Sequence, residues 1–209
     1  MKKAFIFCNN NYIDFAIDFP VDGKIIAADG GANFLLSRNI TPDVLIGDFD
    51  SISDSSLEEL RNKAEILQFP KEKDKTDSEL ALDYCINEHF DSATMVNAVN
   101  GRLEHSLANI FLIENFVKKG LSVYFINKEN EVFVLCGPDE IELNSKKGAE
   151  ISLISLTEQT KMEFIRGFKY PLQNEILFRK HTRGISNIAE QEKLSVKIST
   201  GILLIIRGR

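Results

Sequence analysis

The segment "LIGDFDS" (45–51) joins an apolar run to two carboxylates that stand two positions apart. PDVLIGD (42–48) has the composition of a buried strand, and Asp48 and Asp50 follow at its end. Two carboxylates cannot both face a core unless a cation or a set of hydrogen bonds holds them. The segment therefore predicts a strand of a covered sheet with a charged site at its end.

The residues on either side of this segment alternate between strand-like and helix-like patterns. Short apolar runs predict further strands at 4–8, 24–29, 64–69, 93–99 and 122–127. Helical spacing predicts helices at 32–39 and at 102–120. Two further helices are predicted to follow capping boxes that begin at Ser55 and Thr76. Strand–helix alternation with short connections is typical of an α/β domain with a mostly parallel, Rossmann-like sheet. We expect this domain to occupy residues 1–128.

The pattern changes in residues 129–209. Short strand-like runs follow one another closely there, with turn signals between them and without a convincing amphipathic helix. This pattern predicts an all-β C-terminal domain at 129–209, built as an antiparallel sandwich or barrel.

Composition excludes several classes of function. The net charge of −6 argues against nucleic acid or an anionic membrane as the main partner. No stretch approaches the roughly 18 apolar residues of a membrane span. Cys8, Cys85 and Cys136 are odd in number and widely spaced, which is typical of reduced thiols in a cytoplasmic protein.

Four polar clusters follow predicted strands, at 29–33, 47–51, 71–77 and 100–105. Ligands of open α/β sheets bind outside the carboxyl ends of the strands, so these clusters should share one edge. Asp48, Asp50 and Asp77 offer the hard oxygen ligands that Mg²⁺ prefers. Four nearby side chains could carry the positive charge that neutralises phosphate oxygens: Lys73, Lys75, Arg102 and His105. Carboxylates and cations together suit a metal-bound nucleotide.

Each cluster also has a purely structural interpretation. Asp77 can favour a helix dipole, Asp29-Gly30-Gly31 can form a tight turn, and the lysines can belong to a solvated loop. His105 can be a core or interface histidine. RGISN (183–187) can be a surface hairpin turn, or it can contribute to a polar pocket for a small heterocycle.

Taken in order, five stretches resemble the thiamine pyrophosphokinase (thiamine diphosphokinase) family. They are AADGGAN (27–33), PDVLIGDFDSI (42–52), KDKTDSELAL (73–82), GRLEHSLAN (101–109) and RGISNI (183–188). The resemblance implies Mg²⁺-dependent transfer of diphosphate from ATP to the hydroxyl of thiamine, which gives thiamine diphosphate and AMP. It also implies an N-terminal α/β domain, a C-terminal β-sandwich that binds thiamine, and a homodimer with sites at the subunit interface.

The resemblance assigns roles to individual residues. Asp48, Asp50 and Asp77 would be the catalytic and metal-binding carboxylates. The residues along the nucleotide would be Asp29, Gly30, Gly31, Lys73, Thr76, Gly101, Arg102 and His105. Arg183, Ser186 and Asn187 would contact thiamine. The chain departs from the family's usual G-G-R-x-D-H pattern at Asn100 and Glu104, which puts local geometry in question more than the reaction.

Two other functions fit part of the pattern. A D-x-D phosphohydrolase would use an aspartyl nucleophile, although its D-x-D would be expected after the first strand rather than the third. A non-catalytic sensor of nucleotide or thiamine diphosphate would need fewer carboxylates beside its phosphate ligand. Incubation with ATP, Mg²⁺ and thiamine distinguishes all three functions by their products.

Overall fold

The computed structural model describes residues 1–8 and 22–209. The chain forms two compact units, Met1–Lys128 and Glu129–Arg209. None of the helices in the described ranges is long and apolar enough to cross a membrane.

The first unit contains a parallel sheet with strand order β6-β5-β1-β2-β3-β4. Its strands are β1 (Lys3–Phe7), β2 (Lys24–Ala28), β3 (Val44–Gly47), β4 (Glu65–Gln68), β5 (Ser92–Val96) and β6 (Ser122–Ile126). All four residues of β3 are buried, as expected for a central strand covered on both faces. The α/β part of the predicted fold class is confirmed.

In the described residues of this unit, four helices lie between the strands: α1 (Gly31–Leu36), α2 (Asp54–Arg61), α3 (Asp77–Asn87) and α4 (Leu103–Val117). Leu35 of α1 and Leu60 of α2 are fully buried in one cluster with Leu45 of β3. Burial of each such side chain contributes about 1.5–3 kcal/mol to folding. This packing fixes the strand that directly precedes Asp48.

Two helix N-caps were predictable from capping boxes, at Thr76 and at Ser55, and the structure has one of them. Thr76 Oγ1 accepts a hydrogen bond of 3.3 Å from the amide of Glu79, which confirms Thr76 as the N-cap of α3. The prediction of Ser55 as the cap of α2 is wrong, because Ser53 has extended backbone and accepts from the amide of Ser56. Glu58, the supposed capping-box partner of Ser55, lies 3.4 Å from Arg61 instead.

The second unit is built from two antiparallel sheets, with strand orders β12-β9-β14-β7 and β11-β10-β13-β8. The strands are β7 (Asn130–Cys136), β8 (Asp139–Asn144), β9 (Glu150–Ser155), β10 (Gln159–Arg166), β11 (Ile176–Phe178), β12 (Asn187–Ile188), β13 (Lys193–Thr200) and β14 (Ile202–Gly208). Residues 129–209 are all described and none is helical. Side chains from both sheets share one apolar core, which confirms the sandwich.

Candidate active site

The first unit holds a cavity of about 440 Å³ at the carboxyl edge of its sheet. Every polar cluster that the sequence analysis assigned to this edge contributes to the lining. The lining includes Asp29, Asp50, Lys71, Lys73, Lys75, Thr76, Asp77, Asn100, Gly101, Arg102 and His105. These residues come from four separate stretches of the chain, so the parallel topology brings them together.

Three carboxylates converge at this edge. Asp29, Asp48 and Asp50 each offer an oxygen that lies within 4.8 Å of the oxygens of the other two. Asp29 is buried, and its Oδ1 has no hydrogen-bond partner among the residues that the structure describes. A buried oxygen left unpaired among negative charges favours a bound cation, and carboxylate oxygens suit Mg²⁺. The residues present therefore fit the divalent metal that the resemblance implies.

Glycine allows this convergence. A Cβ atom on Gly47, the last residue of β3, would lie 3.0 Å from the Cβ of Asp29. Gly47 has a φ of 153°, which favours glycine, and the amide of Asp29 donates to the carbonyl of Ile46 over 2.8 Å. A side chain at position 47 would therefore push Asp29 away from Asp48.

Lys73 connects this group of carboxylates to Asp77. Its Nζ lies 3.0 Å from Asp48 Oδ2 and 3.1 Å from Asp77 Oδ1, and only 14% of its side chain is exposed. Burial opposes the charge of Lys73, but the hydrogen bonds and the negative charges of Asp48 and Asp77 together outweigh it and raise the pKa of the ammonium group. Lys73 is thus a firmly charged group between the two aspartates.

Asp77 differs from the three converging carboxylates. Burial raises the pKa of Asp77, Lys73 opposes that shift, and the charges of Asp29 and Asp48 add to it. Asp77 is the predicted third metal carboxylate beside Asp48 and Asp50. The structure brings Asp29 into that group and pairs Asp77 with Lys73. The signal for Asp29 was its position directly after β2, the strand that neighbours β3 in the sheet.

Asp50 and Cys8, which also line the cavity, have pKa values shifted in opposite directions. The hydrogen bonds from Lys71 and Ser51 to Asp50 lower the pKa of this carboxylate, which remains exposed and charged. Burial, with a smaller contribution from the charge of Asp77, raises the pKa of Cys8 to about 12. Cys8 is therefore a neutral thiol at neutral pH and a poor nucleophile.

The 101–105 segment forms the remaining wall of the cavity. Arg102 Nε lies 2.6 Å from Glu104 Oε1, and both side chains are exposed. Glu104, one of the two departures from the family pattern, therefore directs the neighbouring arginine. His105 is exposed in the first turn of α4 and lines the cavity. The alternative interpretation of His105 as a core histidine is wrong for this chain.

The 183–187 segment of the second unit uses much of its bonding capacity locally. Asn187 is buried: its Oδ1 accepts from the amides of Tyr170 and Ile188, and its Nδ2 donates to the carbonyl of Tyr170. Ser186 Oγ donates to Glu150 over 2.7 Å, and Arg183 pairs with Glu175. Arg183 and Ser186 remain exposed, so these two can reach a ligand more readily than Asn187.

Comparison with known proteins identifies the family. A family model described as "Thiamin pyrophosphokinase, catalytic domain" matches residues 22–125, and one described as "Thiamin pyrophosphokinase, vitamin B1 binding domain" matches residues 139–203. Thiamine pyrophosphokinase of Bacillus subtilis (strain 168) is 32% identical over 185 residues, which cover 88% of this chain and 86% of that protein. The chain belongs to the thiamine pyrophosphokinase family. The resemblance seen in the five sequence stretches is confirmed.

Solved structures of the thiamine pyrophosphokinase family agree with the fold. The Bacillus subtilis thiamine pyrophosphokinase structure matches with a TM-score of 0.85 and 28% identity, covering 99% of both chains. The structure from Geobacillus thermodenitrificans matches with a TM-score of 0.82 and 27% identity, covering 100% of this chain and 98% of the other. The similarity therefore extends through both units.

Proposed function

We propose that this chain transfers the diphosphate group of ATP to the hydroxyl of thiamine, giving thiamine diphosphate and AMP. One observation carries the proposal: in a chain of this family, three carboxylates and a charged lysine meet at one cavity of the α/β unit. Diphosphate transfer depends mainly on positioning and on neutralising charge, which are the properties that such a group supplies.

The metal would be held by Asp29, Asp48 and Asp50. The unpaired buried oxygen of Asp29 supports its inclusion as the third ligand. Asp77 would then act beside the metal site through Lys73 rather than as a direct ligand. Bound Mg²⁺ would neutralise phosphate oxygens and stabilise the charge that develops on the leaving oxygen.

The chain's own cations would orient the triphosphate. Lys73 now pairs with Asp48 and Asp77, and it could turn one N–H toward a phosphate oxygen without leaving the cavity. Arg102 and His105 also line the cavity, where their side chains could contact phosphate oxygens. Gly30 and Gly31 would let the backbone beside Asp29 approach the nucleotide, and Gly101 would do the same beside Arg102.

The transfer itself would be an in-line displacement at the β-phosphorus of ATP. The hydroxyl oxygen of thiamine forms a bond to this phosphorus while the bond to the bridging oxygen of AMP breaks. The hydroxyl proton passes to a carboxylate, and Asp50 and Asp77 both line the cavity and could accept it. AMP leaves with the electron pair of the broken bond.

Thiamine would be bound by the second unit, through residues in the 183–187 segment. Arg183 and Ser186 are exposed and would contact the substrate directly. Asn187 would act by holding the segment against Tyr170, because its amide already makes hydrogen bonds within the unit. The match of residues 139–203 to a vitamin B1 binding domain supports this assignment.

A homodimer would complete the site. Leu103, Leu107 and Phe111 are 70%, 43% and 57% exposed, and their spacing places them on one face of α4. An exposed apolar stripe of this kind supports contact with another protein surface. The first turn of the same helix lines the cavity, so a second copy bound there would lie beside the site.

The three free cysteines support a reducing compartment such as the cytoplasm.

The test is an assay with ATP, Mg²⁺ and thiamine. We expect AMP and thiamine diphosphate to form in equal amounts, and EDTA to stop the reaction. Release of ADP or inorganic phosphate without thiamine would indicate a phosphohydrolase, and nucleotide binding without turnover would indicate a sensor. Specific activity should fall on dilution below the dissociation constant of the dimer, and a constant value would argue against a shared site.

A further inference from the structure

Asn109 is a buried polar residue in the middle of α4. Its side chain is only 6% exposed in the folded chain. Its Nδ2 donates to the carbonyl oxygen of Ala98 over 2.7 Å, and its Oδ1 accepts from Ser78 Oγ over 2.8 Å. One carboxamide therefore connects three parts of the first unit: α4, the loop after β5, and the first turn of α3.

The hydrogen bonds continue from Ser78 toward the residues that line the cavity. The Oδ1 atom of Asn109 can only accept, so the Ser78 hydroxyl must donate its proton to it. Thr76 Oγ1 lies 3.0 Å from Ser78 Oγ and is then the donor in that pair. Thr76 Oγ1 also accepts from the amide of Glu79, so it is satisfied in both directions. The network therefore has one consistent proton arrangement from Ala98 to the start of α3.

The whole network runs along the cavity, because Ser78 and Asn109 line it as well. Thr76 and Asp77 form one part of its wall, and the loop from Asn97 through Arg102 forms another. These two segments are far apart in sequence and come from different strand ends. A satisfied, buried set of hydrogen bonds makes such a junction rigid.

We propose that Asn109 is a positioning residue for diphosphate transfer, which fixes the separation between the Thr76–Asp77 turn and the 97–102 loop. This inference rests on the proposed function, because the separation would set how the triphosphate lies between Asp77 and Arg102. Reacting groups displaced by about 1 Å can cost roughly 100-fold in rate even when the altered residue does not touch the substrate. The carboxamide would act through Ser78 and Ala98.

The experiment compares Asn109→Ala with Thr160→Val. Thr160 is fully buried in the second unit, and its hydroxyl donates to the carbonyl of Ile202 over 3.0 Å. Both substitutions remove a buried hydrogen bond, so both should lower the urea midpoint. We expect Asn109→Ala alone to lower kcat, by about 10- to 100-fold, with the KM for ATP changed less than about threefold. A kcat for Asn109→Ala equal to that of Thr160→Val would overturn the positioning role.

A second pair of variants covers the case in which Asn109→Ala does not fold. Ser78→Ala removes the hydroxyl that reaches Asn109, and Ser78→Thr keeps one. We expect kcat to fall about tenfold in Ser78→Ala and to return to within about twofold of the wild type in Ser78→Thr. Equal kcat values in these two variants would also overturn the proposal.

Hydrogen–deuterium exchange separates this inference from the proposed function. Asn109→Ala should speed exchange in both 76–80 and 97–102, whereas Thr160→Val should leave both segments unchanged. Unchanged exchange in Asn109→Ala would show that the carboxamide does not hold the segments, whatever the enzyme does. A wild-type chain that makes no thiamine diphosphate would instead refute the proposed function, and the exchange result would still stand.

Discussion

The carboxyl edge of the parallel sheet and the 183–187 segment of the β-sandwich are both polar, but their polar atoms are used differently. At the sheet edge, residues from distant stretches converge on one cavity, and Asp29 keeps a buried oxygen without a partner among the described residues. In the 183–187 segment, neighbouring residues bond to their own unit, and the amide of Asn187 makes three hydrogen bonds there. Unused bonding capacity gathered from distant stretches indicates a ligand site, whereas an amide that is satisfied within its own unit, like that of Asn187, indicates a structural role.

Asp48 is the position where we expect a substitution to have the largest effect. Asp48→Asn removes one charge from the group that pairs with Lys73 and would hold the metal. We expect turnover to fall at least about 100-fold, because such electrostatic groups contribute this much to charge stabilisation. Turnover is measured as AMP formed in the presence of thiamine, and the urea midpoint checks that the fold is kept.

Asp54→Asn is the matched control for this change. Asp54 is an exposed carboxylate in the first turn of α2, away from the cavity lining. Its removal should leave turnover within about twofold of the wild type, since substitutions of exposed residues usually have small effects. Near-normal turnover in Asp48→Asn would show that the converging carboxylates are not the reaction site.

The identity of the third metal carboxylate can be tested by metal binding to variants of Asp29 and Asp77. We expect Asp29→Asn to weaken Mn²⁺ binding, measured by calorimetry without nucleotide, by at least about tenfold. Asp77→Asn should weaken Mn²⁺ binding less, because Asp77 does not belong to the group of described carboxylates whose oxygens lie within 4.8 Å of one another. The opposite ranking would assign the third ligand position to Asp77, as the sequence analysis proposed.

Sequence patterns predicted which residues lie at the carboxyl edge of the parallel sheet, but not how their side chains are arranged relative to one another. The cap at Thr76 was predictable because one hydroxyl residue preceded a clear helical pattern, whereas Ser53, Ser55 and Ser56 compete at the start of α2. The proximity of Asp29 to Asp48 depends on β2 lying beside β3, and chain order alone does not give spatial order. The stretch RGISN (183–187) suggested a turn or a pocket rather than a strand, and the β12 strand that begins at Asn187 has only two residues, too few for any periodicity.

Substitutions in the 183–187 segment of the β-sandwich should have smaller effects, and at Asn187 the effect should be on the free energy of unfolding. Asn187→Ala would leave the backbone amide and carbonyl of Tyr170 without their side-chain partner. We expect the free energy of unfolding to fall by about 1–3 kcal/mol, which is the usual cost of such unsatisfied groups. Urea denaturation measures this change. Ser186→Ala should cost about 0.5 kcal/mol or less because the side chain is exposed, and it should mainly raise the KM for thiamine. Equal losses of stability in both variants would contradict the structural role of Asn187.

The smallest expected effect compares two helix caps of similar chemistry. Thr76 caps α3 and Ser53 caps α2, and each hydroxyl accepts from the amide three residues later. Alanine at either position should lower the free energy of unfolding by about 1 kcal/mol, measured by urea denaturation. Only Thr76 lines the cavity and continues into the network through Ser78. Thr76→Ala should therefore also reduce turnover, whereas Ser53→Ala should not. If both caps lowered stability equally and neither changed turnover, the start of α3 would be a structural helix end like that of α2.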